Sequence, residues 1–256
     1  MTALNAVSTG VSNILDIEVP AAMRQWLSTG IPWFDMALGG RGMKRSQVLG
    51  LFGGAGAGKS TMAQMLADSL VGLGHNVLYN INEEYLFQVK LRCEELGLSN
   101  GFAADSITDP KALTDRCDTL MASRPGVPFF LIQDSLQTLN DGKWGDDVNS
   151  KTPVRCLAHL FNWCKSTGAV MIAVNHVTKG GQFAGSNKLR HMTDSFGGLV
   201  VDHRPKSPTL GKRLLAFEKN RMGGCADPVI LEMDDAMGGL LVQRGIAFDS
   251  ELDDSE

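Results

Sequence analysis

Apolar stretches of strand length alternate with helical repeats through most of the chain and then continue without them. Four stretches have the composition and length of buried strands: 46–52, 76–81, 128–135 and 168–176. Helical spacing of apolar residues lies between them, after residue 60, over about 85–96 and over about 154–165. Four more strand-like runs close the chain: 198–203, 213–218, 229–233 and 240–243. This order predicts an α/β fold with a mixed, mostly parallel central sheet flanked by helices.

Length and composition indicate one large globular domain. The chain has 256 residues, of which 43% are hydrophobic and 20% are charged. No apolar run approaches the ~18–20 residues that a membrane helix requires, and no basic region followed by an apolar stretch marks a signal peptide. The five cysteines are scattered and form no C-x-x-C pair, which argues against a disulfide framework or a zinc ribbon. We therefore expect a cytoplasmic protein without membrane contact.

Residues 53–60 carry a complete phosphate-binding motif, the P-loop. They match G-x-x-x-x-G-K-[ST] and lie between a predicted strand and a predicted helix. Small residues let successive backbone N–H groups curl around phosphate oxygens, and the positive end of the helix dipole points at the same place. Lys59 is expected to reach the β- and γ-phosphates, and the Ser60 hydroxyl is expected to ligate Mg²⁺. The predicted nucleotide contacts are Gly53, Gly54, Ala55, Gly56, Ala57, Gly58, Lys59, Ser60 and Thr61.

Polar residues follow three of the predicted strands. Glu83 and Glu84 come after the second strand, Asp134 lies at the end of the third, and His176 ends the fourth. In an open α/β sheet, ligands bind at these carboxyl ends. An apolar strand that ends in aspartate has the form of a Walker B strand, whose Asp134 would hold Mg²⁺ through water. Glu83 is a candidate base for an attacking water; alternatively, both glutamates only favour the N-terminus of the next helix.

Charge is distributed unevenly along the chain. The net charge is −4, yet residues 141–221 hold 13 Lys and Arg against 6 Asp and Glu. A basic block suits contact with nucleic-acid phosphates, although a solvated protein face can have the same composition. Residues 248–256 hold five acids and no base. This acidic tail either only improves solubility, or it competes with DNA or docks a partner.

Several stretches, in the right order, resemble the ATPase core of the RecA superfamily, and most of all its bacterial RadA (Sms) branch. They extend from about residue 28 to 235: 28–31 with 38–40, 78–84 with 88–98, 134–139, 176–180 with 184–185 and 191–194, and 219–223. The last of them reads Lys-Asn-Arg-Met-Gly, which is similar to the RadA motif K-N-R-F-G. The resemblance implies a RecA-like P-loop NTPase core that binds ATP and Mg²⁺.

The resemblance also implies roles for single residues. Glu83 matches the family's catalytic glutamate, and His176 lies where the family places a sensor of the γ-phosphate. Lys219 and Arg221 match residues that reach across a subunit interface, where cations would stabilise charge on the neighbour's γ-phosphate. Such cations imply a head-to-tail homo-oligomer, either a hexameric ring or a filament. The predicted catalytic set is Glu83, Lys59, Asp134, His176, Lys219 and Arg221.

Two loops resemble the DNA-binding loops of the family. Residues 140–152 fall at the first loop and residues 178–188 at the second. Small residues with scattered cations suit contacts that follow a single-stranded DNA backbone without reading its bases. Phe183 would stack on bases or, alternatively, pack on the sheet. The predicted DNA contacts are Lys179, Gly180, Gly181, Phe183, Lys188 and Arg190.

The sequence also departs from RadA. It lacks the cysteines of that branch's N-terminal zinc ribbon and the length for its C-terminal Lon-like domain, and Met222 stands where the motif has phenylalanine. We expect an N-terminal arm at 1–27, a RecA-like core at 28–245 and an acidic tail at 246–256. A core-only relative of this kind suggests a phage or mobile-element origin.

The combined prediction is a DNA-dependent ATPase. It would use Mg²⁺ and ATP, be stimulated by single-stranded DNA, and act in strand pairing or branch migration during homologous recombination or recombinational repair. Three alternatives stay open. A replicative helicase of the DnaB type would unwind forks, an annealing protein would use ATP only as an assembly switch, and a KaiC-like signalling ATPase would not respond to DNA.

Overall fold

The structure is a computed structural model that describes residues 13–146, 149, 151–176 and 187–247. The strands are β1 Trp26–Leu27, β2 Met43–Lys44, β3 Val48–Gly53, β4 Asn76–Ile81, β5 Ala103–Asp105, β6 Phe129–Asp134, β7 Lys143–Asp146, β8 Val170–His176, β9 Ser195–Val201, β10 Arg213–Asn220, β11 Val229–Asp234 and β12 Leu240–Ile246. The helices are α1 Ala21–Arg24, α2 Pro32–Ala37, α3 Lys59–Gly72, α4 Leu86–Glu95, α5 Pro110–Ser123, α6 Thr152–Thr167 and α7 Asn187–Met192. The eight predicted strands and three predicted long helices are present, with ends shifted by a few residues.

Nine of these strands form one sheet in the order β12-β11-β10-β9-β3-β8-β6-β4-β5. Strands β9, β3, β8, β6, β4 and β5 are parallel, and β10 to β12 continue the sheet antiparallel. Gly53 lies opposite His176, and Ile81 lies opposite Asp134. The C-terminal ends of β3, β4, β6 and β8 thus share one edge, named here the carboxyl edge. The opposite edge, where β3 and β9 begin and β10 ends, is named the amino edge.

Helices cover both faces of the parallel strands. Leu49 and its neighbours on one face pack in a core with Met62 and Leu66 of α3. Val48, one position earlier, points to the other face and belongs to a second core with Leu157 of α6. Strands that are buried on both faces require near-continuous apolar sequences, which explains the uninterrupted runs in this part of the chain. The α/β architecture and the mixed, mostly parallel sheet are therefore confirmed.

Some elements were not predicted by the apolar pattern. Helix α5 is largely polar, and its buried residues are few. Helix α7 has six residues, of which Leu189 is the buried apolar one among those whose side chains are described, so no repeat could reveal it. Strand β7 lies within residues 140–152, which the sequence predicts as a loop. In each case the element is too short or too polar for periodicity to detect.

The segment predicted as an N-terminal arm reaches into the core. Strand β1 pairs antiparallel with β2, and the ammonium of Lys44 lies 4.5 Å from the ring centroid of Trp26. The predicted boundary after residue 27 therefore follows a strand that is already paired with the core.

Within the described ranges, no helix has both the length and the apolar content needed to cross a membrane.

Candidate active site

The P-loop connects β3 to α3 at the carboxyl edge. Gly56 and Gly58 have φ angles of 75° and 100°, a region in which a side chain brings strain. A Cβ atom on Gly53 would lie 2.3 Å from the backbone oxygen of Leu199 on β9. The first amides of α3 have no acceptor within the helix and are available to a ligand. The glycines therefore allow the backbone curvature of the loop and the close packing of β3 against β9.

Lys59 is held inside this loop. Its side chain is buried, and its Nζ donates to the backbone oxygen of Gly54 at 2.8 Å. Burial lowers the pKa of Lys59, and the negative charges of Asp134 and Glu83 oppose this shift. A bound phosphate would give the ammonium a charged acceptor, which forms a stronger hydrogen bond than a neutral carbonyl.

Asp134 closes β6 beside the first turn of α3. Asp134 is 2% exposed, and its carboxylate accepts a hydrogen bond from the hydroxyl of Tyr79 at 2.9 Å. Burial raises the pKa of Asp134, whereas the nearby hydroxyls of Ser60 and Tyr79 lower it. The two residues predicted to hold Mg²⁺ are therefore neighbours.

Glu83 and His176 meet across the ends of β4 and β8. The Nε2 atom of His176 lies 2.9 Å and 3.1 Å from the two carboxylate oxygens of Glu83. The hydroxyl of Ser135, the residue after Asp134, donates to the same carboxylate. About a third of each of the Glu83 and His176 side chains is exposed, so the pair remains open to solvent and ligand.

A buried polar network supports this pair from below. Gln133 of β6 accepts a hydrogen bond from Asn80 of β4 at 2.7 Å and donates to the backbone oxygen of Ser135 at 2.8 Å. The hydroxyl of Thr138 donates to that oxygen as well, at 2.7 Å. The network fixes the backbone of Ser135, whose hydroxyl donates to Glu83. Sequence reasoning missed these residues, although amide side chains within two apolar strands were a visible signal.

A cation from the antiparallel strands contacts the P-loop. The Nε atom of Arg213, at the start of β10, donates to the backbone oxygen of Ala57 at 3.1 Å. The sequence analysis counts Arg213 only as a member of the basic block. The two residues are 156 positions apart, so no local pattern links them.

A cleft of about 320 Å³ opens between α3 and α4, next to the P-loop. Its lining includes the side chain of Gln64, whose Oε1 atom is buried and has no hydrogen-bond partner among the described residues. An unpaired buried acceptor is destabilising, so a donor from a ligand would be favourable there. The lining residues are Ser60, Thr61, Gln64, Glu84, Gln88, Leu91, Arg92 and Glu95.

Lys219 and Arg221 lie far from this cluster, at the amino edge. Lys219 is opposite Phe196 on β9, which in turn is opposite Gly50, three residues before Gly53. Because a strand rises about 3.3 Å per residue, Lys219 lies roughly 10 Å from the P-loop along the strands, and two strands aside. The structure therefore does not bring these two cations to the P-loop of their own chain.

The amino-edge cations have partners within the chain. The ammonium of Lys219 donates to the backbone oxygens of Arg190 and His191 at 2.9 Å and 3.2 Å, and also to that of Thr193. These carbonyls lie at the C-terminal end of α7, where a cation also interacts favourably with the helix dipole. The guanidinium of Arg221 lies 3.9 Å from the carboxylate of Asp194.

The predicted DNA contacts are only partly covered by the structure. Lys188 and Arg190 lie on α7, which replaces the end of the predicted second loop, and they are two positions apart, so they do not face each other. Arg190 pairs with Glu218 at 3.2 Å. The other four contacts lie outside the described residues: Lys179, Gly180, Gly181 and Phe183.

Ion pairs occupy several cations of the basic block. These pairs are Arg155–Asp141, Lys165–Asp194, Arg190–Glu218, Arg204–Asp202 and Lys212–Glu232. The count of 13 cations along residues 141–221 therefore overestimates the number of cations that are free to contact phosphates. A DNA-binding surface has to be argued from the position of single residues and not from the count.

The residues present fit a nucleotide-bound Mg²⁺ ion. In the part of the chain that the structure describes, no group of three or more His, Cys, Asp and Glu side chains could hold a metal by itself. Mg²⁺ typically needs only one or two protein ligands when phosphates and water supply the rest. The hydroxyl of Ser60 beside the carboxylate of Asp134 is such a donor set.

No family model matches the chain, but its sequence is similar to bacterial DNA repair proteins. It is 34% identical over 235 residues to the DNA repair protein RadA of Brucella abortus and 33% identical over 224 residues to that of Bacillus subtilis. The alignments cover 88% and 87% of the chain but 46% of each relative. The chain thus spans about half the length of the curated relatives that it matches.

Solved structures that share the fold include two ATPase-like domains of similar size. The ATPase domain of G40P has a TM-score of 0.72 at 14% identity, over 84% of this chain and 90% of that one. A KaiC-like protein of Pyrococcus horikoshii has a TM-score of 0.69 at 17% identity, over 86% and 99%. Similarity at these identities describes the fold alone, and the relation to RadA rests on the sequence alignments. The chain is therefore an α/β domain with a RecA-like fold whose sequence is similar to that of the DNA repair protein RadA.

Proposed function

We propose that this chain is a Mg²⁺-dependent ATPase of recombination or recombinational DNA repair, stimulated by single-stranded DNA. The observation that carries the proposal is the convergence of the P-loop, Asp134, Glu83 and His176 at the carboxyl edge. Hydrolysis of a nucleoside triphosphate needs phosphate binding, metal support and a group that orients water, and each has a candidate here. The similarity to RadA supplies the context of DNA repair.

Substrate binding falls to the P-loop and the cleft beside it. The amides at the start of α3 and the ammonium of Lys59 would hold the phosphates, and Lys59 would release Gly54 to do so. The cleft that contains Gln64 would take the nucleoside part of ATP. Mg²⁺, when bound, would neutralise charge on the β- and γ-phosphates, with Ser60 and Asp134 holding it.

Hydrolysis needs a base, and Glu83 is positioned for this role. It would orient the attacking water and take its proton as the water oxygen bonds to the γ-phosphorus. The bond from this phosphorus to the β–γ bridging oxygen breaks, and ADP is the leaving group. In the structure the Glu83 carboxylate is engaged by Ser135 and His176. A γ-phosphate would offer His176 a second acceptor. The imidazole would then share its hydrogen bond between Glu83 and the phosphate.

Assembly would complete the site. Lys219 and Arg221 lie at the edge opposite their own P-loop, which supports action on the nucleotide of a neighbouring subunit. Such an arrangement is head-to-tail and closes into a ring or extends as a filament. To reach a phosphate, Lys219 would have to give up its three carbonyl contacts on α7.

A DNA contact would follow the second loop and α7. Lys188 on α7 is an exposed cation, and His176, the predicted phosphate sensor, is the last residue before the segment that contains the other predicted contacts. Backbone-tracking cations of this kind give sequence-independent, salt-dependent binding. We expect strand pairing or branch migration as the outcome.

A second candidate is an ATPase that does not respond to DNA. Fold similarity does not separate the two candidates, because the chain covers 99% of the KaiC-like protein and 90% of the G40P ATPase domain. The ion pairs within the basic block favour this alternative, because they reduce the number of free cations.

The test is ATP hydrolysis by the full chain with Mg²⁺, with no DNA, with a single-stranded oligonucleotide and with a duplex of equal length. Lys59→Ala serves as the inactive control, and Lys90→Ala, an exposed lysine on α4, as the matched substitution. We expect hydrolysis that rises severalfold with single strands. Hydrolysis indifferent to DNA would favour the second candidate, and the absence of Mg²⁺-dependent hydrolysis would reject both.

A further inference from the structure

Tyr79 is a fully buried residue of β4 whose hydroxyl points to the predicted metal site. Its side chain has no exposed surface, and its ring packs edge-on against Phe102 at a centroid distance of 5.5 Å. The sequence gives no reason to single it out, because an aromatic residue within a buried strand is ordinary core. Its polar atom, however, needs a partner when buried.

The hydroxyl of Tyr79 connects two parts of the site. It donates to Oδ2 of Asp134 at 2.9 Å. The side chain of Gln64, from the second turn of α3, lies near the same hydroxyl. Gln64 in turn lines the cleft next to the P-loop, with its Oε1 atom buried and unpartnered among the described residues.

We propose that Tyr79 is a positioning residue for metal binding, and that Gln64, Tyr79 and Asp134 form a buried relay from the nucleotide cleft to the metal site. This inference rests on the proposed ATPase function. The Tyr79 hydroxyl occupies Oδ2 of Asp134 and fixes the plane of the carboxylate, which would leave Oδ1 for Mg²⁺ and its water when the metal is bound. Tyr79 itself does not contact substrate.

The physical reason is the depth of Asp134. A carboxylate that is 2% exposed keeps its charge only if donors replace the water it has lost. Among the described residues, the hydroxyl of Tyr79 donates to this carboxylate at hydrogen-bond distance. Ser60 lies nearby but would turn to the metal when it binds, which leaves Tyr79 as the donor that stays on the carboxylate through the cycle. Removal of this donor should weaken metal binding more than nucleotide binding.

The test compares Tyr79→Phe with Tyr85→Phe. The chain has two tyrosines, and Tyr85 is 72% exposed, so the second variant loses the same atom where it contacts neither Asp134 nor Gln64. Mn²⁺ replaces Mg²⁺ as a probe, and the free Mn²⁺ signal in electron paramagnetic resonance reports its binding to the protein with ADP. A fluorescent ADP analogue measures nucleotide affinity in EDTA. Thermal unfolding verifies that each variant is folded.

We expect Tyr79→Phe to weaken Mn²⁺ binding about tenfold, the size of one hydrogen bond to a charged group, with nucleotide affinity in EDTA unchanged. Turnover should recover at high Mg²⁺, and Tyr85→Phe should match the wild type. Gln64→Met keeps the Tyr79–Asp134 bond and should show a smaller loss of the same kind; it decides the case if Tyr79→Phe does not fold.

Three results would overturn the inference. Unchanged Mn²⁺ affinity in Tyr79→Phe would show that the hydroxyl only fills a polar gap in the core. An equal loss of nucleotide affinity in EDTA would show a general collapse of the site. A wild-type chain that binds no nucleotide at all would remove the ATPase proposal together with the relay, and this outcome is visible before any variant is made.

Discussion

The two edges of the sheet use charged residues in different ways. At the carboxyl edge, Glu83, Asp134 and Lys59 are held by hydroxyl, imidazole and carbonyl groups within a cluster that stays open at Glu83 and His176. At the amino edge, Lys219 is fully engaged by three carbonyls, and the buried Asp194 binds Lys165 and the backbone N–H of Val48. The carboxyl edge thus keeps charged groups accessible to a ligand, whereas Lys219 and Asp194 at the amino edge are already paired within the chain.

The difference teaches how to separate function from structure when both use the same residue types. At the carboxyl edge, Lys59 donates to a neutral carbonyl that a triphosphate could replace, because a charged phosphate oxygen is the stronger acceptor. At the amino edge, the partners are backbone atoms that hold α7 and the ends of strands in place. Substitutions at the two edges should therefore act differently: at the carboxyl edge on turnover in the same chain, and at the amino edge on stability or, through assembly, on turnover in a neighbouring chain.

The largest effect is expected for Glu83→Gln at the carboxyl edge. The amide cannot take a proton, so turnover should fall by about 10²–10⁴-fold while ATP binding is kept. Steady-state hydrolysis and equilibrium binding of a fluorescent ATP analogue measure the two quantities. Glu94→Gln, an exposed residue of α4, is the control and should leave both unchanged. A Glu83→Gln variant with normal turnover would remove Glu83 from the mechanism.

Lys219→Ala tests whether the amino edge acts on a neighbour. Loss of a cation from the transition state should reduce DNA-stimulated turnover by about 100-fold. Mixing this variant with Glu83→Gln should restore part of the rate, because a mixed interface can combine an intact Glu83 with an intact Lys219. Titration of one variant into the other measures the restoration. If mixing restores nothing, the effect of Lys219 is confined to its own chain.

Ser135→Ala should have a smaller effect at the carboxyl edge. Its hydroxyl donates to Glu83, and its loss should lower turnover about tenfold through a less well oriented base, with KM for ATP unchanged. Ser166→Ala, on the exposed end of α6, is the matched control. A change in KM without a change in kcat would show that Ser135 assists binding instead.

Asp194→Ala should affect stability and leave the carboxyl edge intact. The substitution leaves the N–H of Val48 without its carboxylate acceptor and leaves the ammonium of Lys165 with only the backbone oxygen of Ser46, which costs about 1–3 kcal/mol of unfolding free energy. Urea unfolding measures this loss, and ATP affinity should stay at the wild-type value. A variant that loses ATP affinity while keeping its stability would contradict the division between the two edges.

The smallest effect is expected at Asp202, which belongs to neither edge cluster. The Arg204 guanidinium, with the hydroxyls of Ser207 and Thr209, holds the pKa of Asp202 well below its usual range. A lowered folded-state pKa gives stability above the unfolded value of ~3.9 that is lost as the pH falls below it. Asp202→Asn should therefore lower the melting temperature by roughly 2–4 °C at pH 7 and by less below about pH 4. A constant difference across this range would contradict the assignment; Asp115→Asn, exposed on α5, is the control.

The sequence predicted the carboxyl edge well, because its residues are marked by local signals. The P-loop is a contiguous motif, and Asp134 and His176 each end an apolar run. Parallel strands place their C-terminal ends at one edge, so the meeting of these residues follows from the fold class alone. Their roles in catalysis stay predictions until the variants are measured.

The supporting contacts could not be predicted, because they join distant segments. Arg213 contacts Ala57, and Tyr79 contacts Asp134, through a register that only the folded sheet defines. The carbonyl partners of Lys219 depend on α7, which is too short to leave a periodic signal. The count of basic residues was misleading for the same reason, since it could not show which cations are paired.

The position of Lys219 has a further consequence if it acts across the interface. If the Lys219 ammonium moved to a neighbour's phosphate, the C-terminal end of α7 would lose its bound cation. This helix carries Lys188 and Arg190. Two binding events that share one group are thermodynamically linked, and the linkage works in both directions by the same factor. A ligand that rearranges α7 would then lower the free energy needed to detach Lys219 from its carbonyls. Conversely, binding of Lys219 to a neighbour's phosphate would make the same rearrangement of α7 easier.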